Sequence, residues 1–130
     1  MKTYFSLLAF FLIVQNIWAS DPDFIEEVKV IEKTFNVDAN ANLGISNKYG
    51  NVTLTTWDKN VIDVRVEIKV DGRDQEAVKN RFNAITVDFS ATSAYVTAST
   101  KIGDVKGANK TNISIHYTVK LPKTNGINID

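Results

Sequence analysis

The clearest pattern in the chain is a strict alternation of apolar and charged residues over positions 61–70, VIDVRVEIKV. Apolar side chains occupy every second position from Ile62 to Val70, and Asp, Arg, Glu and Lys alternate with them. Successive side chains of a β-strand point to opposite faces, so a period of two predicts a strand with one buried and one hydrated face. Charges on the hydrated face also discourage edge-to-edge association.

A second alternating segment, TNISIHYTVKL at residues 111–121, ends at Pro122, which cannot donate a hydrogen bond to a sheet. Asn, Asp, Lys and Gly residues with turn chemistry separate several of the shorter segments, which predicts an antiparallel meander with short connections. Gly50 is expected to supply the left-handed backbone of one of these turns. The shorter segments with strand signals are residues 28–37, 43–47, 52–57, 86–90 and 94–100.

One segment departs from the β pattern. Residues 75–83 place Val78 and Phe82 on one face at helical spacing, and Asp74 precedes them as a candidate N-cap. This predicts one short helix. The glycine- and lysine-containing segment 101–110 predicts an exposed loop or a wide hairpin.

Together these elements predict a mainly β fold, an antiparallel β-sandwich-like meander with one short helix. The C-terminal sequence GINID at residues 126–130 is typical of a new strand and echoes LGISN at residues 43–47. Recurring short units are typical of repeat architectures, so the start of a β-solenoid is the alternative fold. The same echo leads us to expect that the domain is truncated at a repeat region that follows Asp130, or that its last strand pairs elsewhere.

Residues 1–19 have the layout of a secretory signal peptide. Lys2 provides the positive charge, residues 5–14 are apolar except for one serine, and the small residues Ala19 and Ser20 follow. An apolar core of about ten residues is too short to cross the roughly 30 Å core of a bilayer. We therefore expect cleavage after Ala19, and an extracytoplasmic β-rich domain at residues 20–130, without a transmembrane segment, in the periplasm or at the cell surface.

Charge and composition narrow the classes of partner. The 15 Lys and Arg residues balance 15 Asp and Glu residues, and they form no basic stripe that could hold a nucleic acid backbone. Cysteine is absent, so the domain depends on its core, or on being part of a larger assembly, rather than on disulfides. The sequence therefore predicts a folded domain whose partner is not nucleic acid.

No catalytic, cofactor-binding or metal-binding motif occurs in the sequence. The single histidine, His116, lies on the polar face of its predicted strand, with no identifiable partner for base catalysis. One histidine without cysteine cannot supply a zinc site, and the acidic residues do not have the spacing of a calcium loop. We predict that the protein is not an enzyme and holds no cofactor or metal.

A binding surface is the remaining candidate chemistry. Thr53 and Thr55 share one face of a predicted strand with Trp57, and Tyr49 lies in the turn before it. Aromatic residues that carry a polar group suit interfaces, so these four residues form a candidate platform for a glycan or peptide. The β-propensity of threonine on a hydrated face explains the same residues without a ligand.

The segment LGISNKYGNVTLTTWD, residues 43–58, resembles the DUF4097 family of adhesin-like proteins from bacterial cell envelopes. The resemblance extends to the alternating strand at residues 61–70 and to the Leu121-Pro122-Lys123 step. It implies an exported domain built from β-strands, with the family's repeated strands after Asp130 and no catalytic residues.

Two functions therefore stay open. The first is a non-catalytic exported cell-envelope protein, an adhesin or a structural or interaction module, whose partner is a cell-surface glycan or an envelope protein. The alternative is a soluble carbohydrate- or peptide-binding β domain that uses the surface around Trp57.

Overall fold

The structure, a computed structural model, describes residues 23–124 and 126–130, so the predicted signal peptide lies outside the described residues. The mainly β composition and the single short α-helix predicted from the sequence are confirmed. In the described part the elements are β1 (Ile25–Asn36), β2 (Asn42–Ser46), β3 (Val52–Trp57), β4 (Val61–Gly72), α1 (Gln75–Asn83), β5 (Ile85–Ala91), β6 (Tyr95–Ile102), a 3₁₀-helix (Ala108–Lys110), β7 (Thr111–Pro122) and β8 (Gly126–Ile129).

The strands form two four-stranded sheets. Sheet 1 has the order β1-β4-β7-β3, and sheet 2 has the order β5-β6-β2-β8. The β1/β4, β4/β7 and β5/β6 pairs are antiparallel, as predicted for the whole domain. The β3/β7, β2/β6 and β2/β8 pairs are parallel, so both sheets are mixed.

The predicted meander through residues 43–47, 52–57 and 61–70 is wrong. β2 belongs to sheet 2, while β3 and β4 belong to sheet 1 and are separated there by β7. The physical reason is strand length. β4 has 12 residues and pairs with β1 and β7, which also have 12, and this satisfies more backbone hydrogen bonds than pairing with the six-residue β3. The segment after β6 is likewise not a hairpin, because it carries the chain from sheet 2 to sheet 1.

The two sheets pack around one hydrophobic core, as in a β-sandwich. The alternation predicted for β4 is confirmed, because its apolar positions face this core and are fully buried. Sheet 1 contributes Ile62, Val64, Val66, Ile68 and Val70 from β4 and Ile115, Tyr117, Val119 and Leu121 from β7. Sheet 2 contributes Leu43, Ile45, Ile85, Val96 and Ala98.

Helix α1 connects the two sheets and packs against β4 and β1. It begins where the sequence predicts, because the Asp74 carboxylate accepts a hydrogen bond of 3.0 Å from the backbone amide of Ala77. This bond and one from Lys110 hold the pKa of Asp74 below its usual value. None of the helices in the described residues is long and apolar enough to cross a membrane.

The C-terminal strand β8 lies at the edge of sheet 2. It pairs in parallel with β2, which also pairs in parallel with β6, so these three strands form a parallel ladder. Ile127 and Ile129 lie beside the buried Leu43 and Ile45 of β2, yet they are 49% and 43% exposed. The strand predicted at the C-terminus is therefore present, within a sandwich rather than a solenoid.

Candidate binding site

Three of the four residues of the predicted platform lie in β3, and Tyr49 lies in the loop before it. Thr53, Thr55 and Trp57 lie on the outer face of the strand, because Val52 and Leu54 face the core. Tyr49 precedes the strand, and a strand of six residues is about 17 Å long. The structure thus places three of these residues on one face of β3 and Tyr49 before its first residue, at the end away from Trp57.

The Trp57 side chain is engaged in contacts within the protein. Its indole Nε1 donates a hydrogen bond of 2.8 Å to the carbonyl of Val61. The ammonium groups of Lys59 and Lys120 lie 4.9 and 5.5 Å from the ring centroid, within the range of cation–π attraction. These contacts stabilise the turn between β3 and β4. The indole N–H donates its one hydrogen bond within the protein, so it is not free to donate to a ligand.

The loop between β2 and β3, residues 47–51, has an unusual backbone. Tyr49 has φ of 66°, the left-handed region, which among the described non-glycine residues occurs only here. The expectation that Gly50 supplies this conformation is wrong. Gly50 is required for space instead, because a Cβ at this position would lie 1.8 Å from the carbonyl oxygen of Ile115. The loop therefore lies directly on β7.

Hydrogen bonds to β7 fix the loop in this position. The backbone N–H of Ile115 donates to the carbonyl of Tyr49, and that of Tyr117 donates to the carbonyl of Asn51, both at 2.9 Å. The backbone N–H of Asn51 also donates to His116 Nδ1 at 3.1 Å. His116, predicted from the sequence as an ordinary strand residue, thus anchors the loop.

A second set of hydrogen bonds ties the start of the loop to both sheets. Asn47 Nδ2 donates to the carbonyl of Ile115 at 3.0 Å, and Asn47 Oδ1 accepts from Thr100 Oγ1 at 3.2 Å. Because the Thr100 hydroxyl hydrogen is used there, the Tyr117 hydroxyl is the donor in its 2.6 Å bond to Thr100. Burial raises the pKa of Tyr117, so its hydroxyl stays protonated as a donor. Linked bonds of this kind hold a loop in one conformation.

A cavity of about 250 Å³ lies beside this loop. The end of β2, the loop, the last turn of α1 and the end of β6 all contribute to it. Pockets for drug-sized ligands span about 300–1,000 Å³, so this cavity is suited to a smaller ligand. Its lining residues are Ser46, Lys48, Tyr49, Arg81, Thr100, Ile102 and Asp104.

Arg81 is the most informative residue of this cavity. Its Nε is buried and has no hydrogen-bond acceptor among the described residues. A buried donor without an acceptor is energetically unfavourable, which makes such groups uncommon in folded proteins. The positive charges of Arg81 and Lys48 and the negative charge of Asp104 give the cavity a formal charge of +1.

Sequence reasoning found Tyr49 but not Arg81. Arg81 lies in the last turn of α1 and has the sequence signature of an ordinary charged residue on the polar side of a helix. Only the tertiary structure brings that turn next to the loop at residues 47–51. The spacing of the two residues in the sequence therefore contained no signal for the site.

Two other features do not form candidate sites. A cavity of about 190 Å³ lies between α1 and the 3₁₀-helix, where Lys110 Nζ and Asp74 Oδ2 already pair at 3.3 Å. No group of three or more His, Asp or Glu side chains in the described ranges is arranged to hold a metal ion. The cavity at Tyr49 and Arg81 is therefore the strongest candidate site.

Comparison with known proteins adds little to this geometry. No protein-family model and no curated protein matches the chain. Among solved structures, the chain is similar to a protein from Parabacteroides merdae named "putative adhesin", with 12% identity and a TM-score of 0.36. The match covers 76% of this chain and 33% of that protein, so this chain spans about a third of its length. A likeness at this level establishes neither a family nor a function.

Proposed function

We propose that this chain is an exported, non-catalytic binding module of a cell envelope, and that it contacts its partner at the cavity beside Tyr49 and Arg81. The observation that carries the proposal is a preformed site. Loop 47–51 is fixed by hydrogen bonds to both sheets, and it presents an exposed aromatic ring at the same cavity as the guanidinium of Arg81. Binding residues commonly lie on loops that a rigid scaffold positions.

The chemistry of the cavity favours binding over catalysis. Its side chains offer charge, hydroxyl groups and an aromatic ring, but they do not form the pair of nucleophile and base that covalent catalysis requires. The signal-peptide pattern at residues 1–19 and the family resemblance of residues 43–58 support an envelope role. The partner is a cell-surface glycan or an envelope protein.

The export proposal is tested by protease digestion of the tagged full chain on intact cells, with lysed cells as the control. We expect a processed protein outside the cytoplasm. Digestion on intact cells would indicate the cell surface, and protection until the outer layer is opened would indicate the periplasm. An unprocessed protein in the cytoplasmic fraction would contradict the proposal.

The binding proposal predicts that Tyr49→Gly weakens binding without lowering the stability of the fold. Glycine adopts a positive φ without strain, so we expect the free energy of unfolding to stay unchanged or to rise by about 1 kcal/mol. Loss of the exposed ring should weaken binding to isolated envelopes. Urea unfolding and a saturation binding assay with the labelled, processed protein measure the two effects. Unchanged binding by a stable Tyr49→Gly variant would contradict the assignment of the site.

A further inference from the structure

We propose that the cavity binds the carboxylate of an acidic sugar unit, such as a uronic or sialic acid, and that neighbouring sugar units extend over the outer face of sheet 2. The inference rests on the proposed function, because it names the ligand class of the same cavity. It is carried by the charge, the aromatic ring and the hydroxyl groups that line two adjoining depressions.

The positive charge of Arg81 at the cavity favours an anion as the ligand. A carboxylate accepts two parallel hydrogen bonds from the planar guanidinium, and one arrangement uses Nε with a terminal nitrogen. The Nε itself is shielded from solvent, so a ligand would pair with it only after the guanidinium turns toward the cavity. Lys48, on the same cavity, adds a second positive charge.

Two features favour a carboxylate over a phosphate. Arg81 lies in the last turn of α1, where the exposed carbonyl groups of a helix carry partial negative charge. The Asp104 carboxylate lines the same cavity. Both features lower the positive potential of the cavity. Its formal charge of +1 neutralises a single carboxylate but would leave one charge of a dianion uncompensated.

Tyr49 and Asp104 favour a sugar over a simple carboxylic acid. The Tyr49 side chain is 56% exposed at the cavity, so its ring offers an apolar face to the C–H groups of a sugar and its hydroxyl offers a hydrogen bond. Asp104 can accept hydrogen bonds from sugar hydroxyl groups, since a carboxylate has only acceptor oxygens. The cavity therefore matches a ligand that carries one carboxylate and several hydroxyl groups.

A second depression continues the site over sheet 2. It has a volume of about 170 Å³ and shares Ser46 with the cavity. The Tyr95 hydroxyl lies over Gly44, where a Cβ would come within 2.8 Å of its oxygen. Side chains with hydroxyl and amide groups suit the neutral part of a saccharide. The lining includes Gly44, Ser46, Tyr95, Thr97, Ser99 and Asn128, together with the acidic residue Asp130.

Calorimetric titration of the processed protein tests this proposal with two pairs of probes. Trigalacturonate is compared with its neutral methyl ester, and 3′-sialyllactose is compared with lactose. We expect at least one acidic probe to bind about tenfold or more tightly than its neutral counterpart, as is typical of a hydrogen bond to a charged group. Which acid binds distinguishes a uronic acid from a sialic acid.

Three variants locate the effect. Arg81→Gln should weaken binding of the acidic probe about 10- to 100-fold and abolish the preference over the neutral probe. Arg81→Lys should restore the charge but only part of the affinity, because lysine cannot make the two parallel bonds. Arg65→Gln is the matched control, since Arg65 lies on sheet 1 and pairs with Glu32 and Glu67. Thermal unfolding of each variant confirms that it is folded.

Several outcomes would overturn the inference. They are equal affinity for acidic and neutral probes, binding of neither acidic probe, an Arg81→Gln variant that keeps its preference, and inorganic phosphate as an equal competitor. If the protein nevertheless binds isolated envelopes and loses that binding in Tyr49→Gly, the proposed function stands and only the ligand class is wrong. Absence of envelope binding contradicts the proposed function itself.

Discussion

Gly50→Ala is expected to lower the free energy of unfolding by about 1–3 kcal/mol, the usual range for overpacking a well-packed position. The added methyl group would lie 1.8 Å from the carbonyl oxygen of Ile115 and 2.5 Å from its carbon. Both are backbone atoms of β7, so no side chain can rotate away to make room. Loop 47–51 must therefore move off β7 and stretch the hydrogen bonds from Ile115 to Tyr49 and from Tyr117 to Asn51.

Gly103→Ala is the matched control for this experiment. A Cβ at position 103 would meet its nearest neighbour, the Cβ of Ala84, at 3.6 Å, an ordinary contact. We expect this variant to stay within about 0.5 kcal/mol of the parent protein. Urea unfolding of both variants measures the difference. Equal stability of Gly50→Ala and the parent would show that the loop does not lie on β7 in solution.

The local pattern of the sequence was sufficient to predict the elements of this fold. In β4, neighbouring residues face opposite sides of the sheet, so the alternation of apolar and charged residues indicates directly which side chains are buried. The helix was equally local, because Asp74 and the amide that it caps are three residues apart. Such features require no knowledge of distant parts of the chain.

The pairing of the strands could not be predicted in the same way. The turn residues between β3 and β4 fit a hairpin, but β7 pairs with both strands and separates them. The β3/β7 register joins Val52 to Tyr117 and is parallel, so it depends on residues that are far apart in the sequence. The sequence therefore predicted these strands correctly, but the short connection between β3 and β4 led to the wrong partner for each of them in the sheet.

The candidate site shows the same division between local and distant information. Tyr49 was found because an aromatic residue that carries a polar group suits an interface, a property of the residue type itself. The role of Gly50 was misassigned, because its constraint comes from Ile115 on another strand rather than from its own φ. Arg81 was missed because its unpaired Nε is a property of the folded chain. The site combines three separate segments of the chain, and no single segment carries a pattern that reveals it.

Leu43→Ala should have the other large effect, a loss of about 2–5 kcal/mol in the free energy of unfolding. Leu43 is 1% exposed and lies in the centre of sheet 2, between β6 and β8. Removing three carbon atoms there leaves a cavity that the surrounding strands close only in part. A domain of this size has a total stability of about 5–15 kcal/mol, so the variant would lose a large share of it.

Ile127→Ala provides the comparison, because Ile127 lies directly beside Leu43 in the β2/β8 register but is 49% exposed. An aliphatic side chain that is half-buried contributes about half of the 1.5–3 kcal/mol of a fully buried one, so we expect a loss of about 1 kcal/mol. Urea unfolding of both variants compares the centre of sheet 2 with its edge. If Ile127→Ala is as destabilising as Leu43→Ala, then β8 is covered in solution, and the exposed edge of sheet 2 is a contact surface rather than a boundary of the fold.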